Sequence, residues 1–93
     1  MQIPNPVITV NELVVSAELE GEAVLLNVET GIYFGLDALG SEIWKMLEQG
    51  AKEEEIVVCL LESYEVEEGQ LRADIGKFLN LLNEQGLIKV ARY

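Results

Sequence analysis

The chain has 93 residues, 49% of them hydrophobic and 25% charged, with 17 acids against 6 bases for a net charge of -11. That length holds one domain with one core, and the composition is globular rather than disordered. The acidic balance argues against a surface that wraps nucleic acid, where clustered Lys and Arg must neutralise phosphates.

Histidine is absent and Cys59 is the single cysteine. This removes Ser-His-Asp and Cys-His nucleophile sets, most zinc sites and any intramolecular disulfide. The opening MQIPNPVITVNE lacks the basic and apolar regions of a signal peptide, and no apolar run approaches the ~20 residues that span a bilayer. The expectation is a cytoplasmic protein of one domain over residues 1–93, with no membrane partner, no nucleic acid partner and no cofactor or metal.

In chain order, Pro4 and Pro6 mark an extended tail over residues 1–6. A first strand is expected near Val7–Val10 and a second near Leu13–Glu20, with Asn11-Glu12 as the break. Glu20-Gly21-Glu22 reads as a turn. Ala23–Val28 and Ile32–Leu36 are short branched or aromatic runs joined by Glu29-Thr30-Gly31. That is a hairpin signal, since Gly takes the left-handed conformation such loops need. A short buried helix over Ala23–Val28 is the alternative, disfavoured by its length and its valines.

After Leu36 the apolar period changes from two to about 3.6. Asp37 is placed to cap a helix whose stripe is Leu39, Ile43, Trp44 and Leu47, ending at Gly50. A second helix is expected over Glu53–Ser63. Its leading Glu53, Glu54 and Glu55 suit the positive end of the helix dipole, and Ile56, Val57, Leu60 and Leu61 form its buried face. Cys59 is expected among them as a buried structural thiol, and Tyr64 as a cap on that helix's apolar end. A third helix runs over Glu68–Gln85 with Gly86 as its stop. Leu71, Ile75, Phe78 and Leu82 share a narrow arc, with Leu79 on one flank and Asp74 and Leu81 on the other. Leu87–Val90 is a short extended segment with its pairing partner open. Strands followed by three helices is α+β, and three helices beside a hairpin also describe a winged helix-turn-helix.

Charge separates two functions of that fold. Residues 1–36 hold five acids and no base, whereas residues 70–93 hold four bases, Arg72, Lys77, Lys89 and Arg92, against two acids. Arg72 and Lys77 lie roughly 140° apart on the helical wheel. They do not form the single basic face of a DNA-reading helix. No nucleophile and base pair, no phosphate loop and no metal set supports an enzyme.

Two features exceed structural need. Ile32–Leu36 carries no charge and is apolar on both faces, although sheet edges are normally guarded by charge, proline or a bulge. Either its neighbours cover it, or a partner strand pairs there. The third helix is apolar over a wider arc than one-sided packing requires, so part of it lines a groove or the core contact is wide.

Leu26-Asn27-Val28-Glu29-Thr30-Gly31-Ile32-Tyr33-Phe34-Gly35-Leu36-Asp37, then Gly40, Ile43-Trp44 and Leu47, resembles the PqqD-like family. Glu54-Glu55-Ile56, Leu60, Tyr64-Glu65-Val66, Asp74-Ile75, Phe78-Leu79, Leu82 and Gly86-Leu87-Ile88 continue the likeness, which covers about Leu13 to Val90. The resemblance implies a winged helix-turn-helix-like fold, a three-stranded antiparallel sheet followed by three helices. It also implies a non-catalytic recognition element for ribosomally made, modified peptides, most like the free-standing leader-binding members of lasso-peptide biosynthesis. The implied partners are a precursor's leader and a separate leader peptidase or modifying enzyme.

Carried onto this sequence, the leader adds as a strand along Val28, Ile32, Tyr33, Phe34, Gly35 and Leu36. Ile75, Phe78 and Leu82 form pockets, Asp74 offers a charged contact at the rim, and Arg72 or Lys77 meets an acidic leader residue. Tyr33 and Phe34 point to opposite faces of a strand, so one of them faces the groove. A winged-helix DNA-binding regulator is the competing reading.

Overall fold

The computed structural model describes residues 7–91; the expected tail over residues 1–6 lies outside them. Strand β1 (Val7–Val10) is followed by β2 (Val14–Leu19), β3 (Glu22–Asn27) and β4 (Ile32–Leu36). Helices α1 (Ala38–Glu48), α2 (Glu53–Ser63) and α3 (Glu68–Glu84) come next, and β5 (Ile88–Ala91) is last. The fold is α+β. β2, β3 and β4 form an antiparallel meander in that order, and β1 pairs with β5 in a separate two-stranded ribbon.

Local chemistry places the turns. Glu20 and Gly21 both take positive φ, 55° and 82°. This is the two-residue turn that matches the twist of a hairpin. Between β3 and β4 the Asn27 carboxamide oxygen accepts from the amides of Glu29 and Thr30, and Gly31 at φ 75° completes the reversal. The register sets Ala23 against Leu36, Leu25 against Phe34 and Asn27 against Ile32. Ala23–Val28 is thus a strand and not a helix.

Each helix start is satisfied from its own sequence. Asp37 Oδ1 accepts from the Gly40 amide at 2.7 Å. Glu55 accepts from the Lys52 amide, and the Glu67 carboxylate accepts from the amides of Gly69 and Gln70. These are donors a helix leaves unpaired at its N-terminus. The two Glu67 bonds hold its carboxyl below the usual glutamate value, because they favour the charged form.

The core lies between the inner face of the sheet and the helices. Trp44, Leu25, Ile56, Leu60, Ile75, Leu82 and Ile88 are its largest fully buried side chains. Buried Ser41 ties α1 to the sheet by accepting from the Ala23 amide and donating to the Leu36 carbonyl. The partner left open for the last segment is β1, in the register Val7↔Ala91 to Val10↔Ile88. Asn11 reinforces this closure, donating from its side chain to the Gly86 carbonyl and from its amide to the Leu87 carbonyl.

Three placements differ from expectation. Cys59 is exposed, because α2 buries only Ile56, Val57 and Leu60. Leu39 is 42% exposed and stands outside the core stripe of α1. Tyr64 does not cover the apolar end of α2; it is exposed, and its hydroxyl donates to Glu42.

Candidate functional site

β4 is hydrogen-bonded to β3 on one side only, so its other edge is unpaired among the described residues. β2 is the opposite edge of the same sheet, but the two edges are not equivalent. Glu18 of β2 lies on the helix side and forms an ion pair with Lys45, and Ser16 contacts Glu48 from that same face. Inward-pointing charge of this kind blunts an edge against pairing. β4 has no such guard.

Beside the bare edge runs a trough of about 430 Å³ between β4, the first turns of α1 and α3. Phe34 and Leu36 border it from the strand, Leu39, Gly40 and Ile43 from α1, and Asp74, Ile75, Phe78 and Leu81 from α3. A small hollow of about 50 Å³ continues along the same edge past Phe34, bounded by Asn27, Ile32, Gln85 and Leu87. α3 therefore runs antiparallel to β4, with Asp74 at the Leu36 end and Gln85 at the Ile32 end. The width of the apolar arc on α3 has its explanation here. Leu71, Ile75, Leu79 and Leu82 are buried, while Phe78 and Leu81 keep surface open to the trough.

Gly40 sets the depth of the trough. A Cβ on it would stand 3.3 Å from Phe78 Cζ and 3.2 Å from Asp37 Oδ1. The bare backbone lets the Phe78 ring lie over the start of α1.

Of the residues singled out in sequence, Ile32, Phe34, Gly35, Leu36, Asp74, Ile75 and Phe78 gather on the edge and its two hollows. Phe34 is the aromatic that faces the trough. Tyr33 is 68% exposed on the opposite face of the sheet, across from Leu26. Leu82 has no exposed surface; it belongs to the core and forms no pocket wall. Val28 lies before β4, and its amide donates to the Leu13 carbonyl at the other side of the sheet.

Arg72 is committed elsewhere. Its guanidinium grips both Glu54 oxygens at 2.8 and 2.9 Å and reaches Glu68 at 2.9 Å. Its pKa is raised, chiefly by the bond to Glu54, and Arg72 in turn lowers that of Glu54. Lys77 is exposed and does not border the trough. Leu39, Gly40, Ile43 and Leu81 were not singled out as site residues. The α1 stripe placed Leu39 and Ile43 in the core, and the exposed flank position of Leu81 was its only signal.

The site has the chemistry of a binding groove: apolar walls, two carboxylates, and an edge of free backbone donors and acceptors. Among the described residues no group of three or more Cys, Asp or Glu is arranged to hold a metal ion.

The profile of the family described as "Coenzyme PQQ synthesis protein D (PqqD)" matches residues 22–88, a span that holds both β4 and α3. The chain belongs to the PqqD family. A search of curated proteins finds no match. Among solved structures, "TbiB1 in Complex with the TbiA(beta) Leader Peptide" is 42% identical, with a TM-score of 0.84 over 87% of this chain and 94% of that one. "Lasso peptide synthetase B1 complexed with the leader peptide" is 24% identical, with a TM-score of 0.81 over 88% of this chain and 96% of that one. The second likeness is one of fold. The first also joins this PqqD-family chain to a relative solved as a leader-peptide complex.

Proposed function

We propose that this PqqD-family protein is a non-catalytic recognition element for the leader of a ribosomally synthesised precursor peptide. The leader adds as a strand to the free edge of β4 and lies in the trough against α3. The protein then presents the leader to a separate leader peptidase or modifying enzyme of lasso-peptide or related biosynthesis. It acts in the cytoplasm, as one recognition domain over residues 1–93.

The observation that carries this reading is the unguarded β4 edge flanked by an apolar trough. Strand addition gives affinity through the main chain, and the trough gives specificity by accepting alternate side chains. The 42% identity to a protein solved with a leader peptide supports the same reading. A DNA-binding role lacks the cations it needs: Arg72 is held by Glu54 and Glu68, and Lys77 is the one other base on α3.

The test is a titration of fluorescein-labelled leader from a neighbouring precursor gene, followed by anisotropy. Saturable binding that Phe34→Ala and Phe78→Ala each weaken is expected. Binding indifferent to both changes contradicts the proposal.

A further inference from the structure

Beyond the Leu36 end of β4, the trough is bordered by Leu39 of α1, Leu60 of α2 and Val66. Val66 belongs to residues 64–67, which link α2 to α3. Leu60 is buried in the core, but Val66 is 47% exposed and Leu39 is exposed as well. Both aliphatic side chains line the trough and stay open to solvent until a ligand covers them. Val66 has little of its own to hold it there. Residues 65–67 form no helix or strand, and among the described residues the backbone of Glu65 and Val66 makes no hydrogen bond. The segment is pinned at its two ends instead. Glu67 caps α3 through the amides of Gly69 and Gln70. At the other end the Tyr64 hydroxyl donates to Glu42 Oε2 of α1 at 2.8 Å, across 22 residues of sequence. Among the described residues this is the one hydrogen bond from residues 64–67 to α1. Glu42 stands three residues after Leu39, so the two share a face of that helix.

We infer that Tyr64 is a positioning residue for leader binding: through Glu42 it holds Val66 on the trough with Leu39, ready to meet a side chain of the leader. The inference rests on the reading of the trough as the leader's site. Without the bond, residues 64–67 spread over several positions, and Val66 lines the trough in a part of them. When the binding-competent form is a fraction of the whole, apparent affinity falls by that fraction. Tyr64 thus acts without touching the leader. Its effect falls on the leader side chain that fills the trough between Leu39 and Val66. That side chain is apolar, since Leu39, Leu60 and Val66 are what receives it.

The experiment uses the full chain and the labelled leader. Leader binding to the natural chain is measured first, by anisotropy; its absence defeats the leader reading itself, independently of this inference. The titration is then repeated on Tyr64→Phe, which removes one exposed oxygen, on Glu42→Ala, and on Glu42→Gln, which keeps an oxygen acceptor. Melting curves verify that each variant is folded at the temperature used. Tyr64→Phe and Glu42→Ala are each expected to weaken binding about three- to tenfold, the range of one hydrogen bond, and the double variant no further. Glu42→Gln is expected to bind within about twofold of the natural chain. An alanine scan of the leader separates position from folding. Truncating one apolar leader residue should weaken binding to the natural chain and have a clearly smaller effect on Tyr64→Phe, because the two changes remove the same contact. Lost stability alone would weaken every leader variant alike. Unchanged binding by Tyr64→Phe, Glu42→Gln as weak as Glu42→Ala, single losses that add in the double variant, or a loss spread evenly over the scan would each overturn the inference.

Discussion

Gly40 of α1 and the Phe78 ring of α3 stand side by side at the wall of the trough, and no side chain on Gly40 separates them. Gly40→Ala raises helix propensity by about 1 kcal/mol but drives the new methyl into the Phe78 ring and the Asp37 cap. The expected outcome is a several-fold loss of leader affinity by anisotropy with little change in melting temperature. Phe34→Ala removes a wall of the trough and is expected to weaken leader binding about tenfold or more, from the ~1.5–3 kcal/mol that burying such a ring contributes. Tyr33→Ala, one residue away on the opposite face, is expected to leave it within about twofold. Equal losses for the two aromatics would mean that the strand presents both faces to the peptide. The alternation rule limited the groove to one of them in the sequence. The choice needed the register with β3 and the position of α3, which are long-range facts. Cys59 shows the same boundary. A helical stripe marks an apolar face, yet how far the core extends around α2 depends on where α3 lies.

At the scale of the element, α2 and α3 are fastened by Arg72 between Glu54 and Glu68, and α3 is started by Glu67. Both are exposed charge devices, so their effects are salt- and pH-sensitive. Glu67 gains two amide bonds in the fold, so its folded carboxyl titrates below its unfolded one. The stability it contributes is complete above the ordinary glutamate value and is lost as pH falls through the depressed one. Glu67→Ala is therefore expected to lower the melting temperature at pH 7, with the difference from the natural chain narrowing as pH falls below the unfolded glutamate value of about 4.3. A difference that persists unchanged in acid would point to packing and not to the cap. Arg72→Ala is expected to leave leader affinity unchanged and to lower thermal stability slightly, less so in 0.5 M salt. A fall in affinity would place Arg72 in the binding surface after all. Turns and helix ends were legible in the sequence because their causes are local: Gly21, Gly31, Gly50 and Gly86 all take positive φ, and Asp37 reaches its own helix. The Arg72–Glu54 bond joins residues 18 apart in sequence and carries no local signal, so the sequence leaves Arg72 as open to a leader contact as Lys77.

Among the described residues, two sheets pack against the same helices, and a four-residue ribbon pairs the first strand, β1, with the last, β5, which follows α3. The separate strands and the order of strands and helices could be read from short branched or aromatic runs, the turn glycines and the change of apolar period after Leu36. The pairing of β1 with β5 could not, since no turn links them and their contact spans some eighty residues. This topology leaves two exposed edges on the larger sheet. β2 is guarded by the inward Glu18–Lys45 pair, and β4 lies open beside the trough. The function proposed for the protein depends on that asymmetry, and amide hydrogen exchange of the chain with and without saturating leader reads it directly. New protection should appear at Ile32–Leu36, with none at Val14–Leu19. Protection acquired at β2, or bound leader that leaves the β4 amides exchanging as before, would contradict the account.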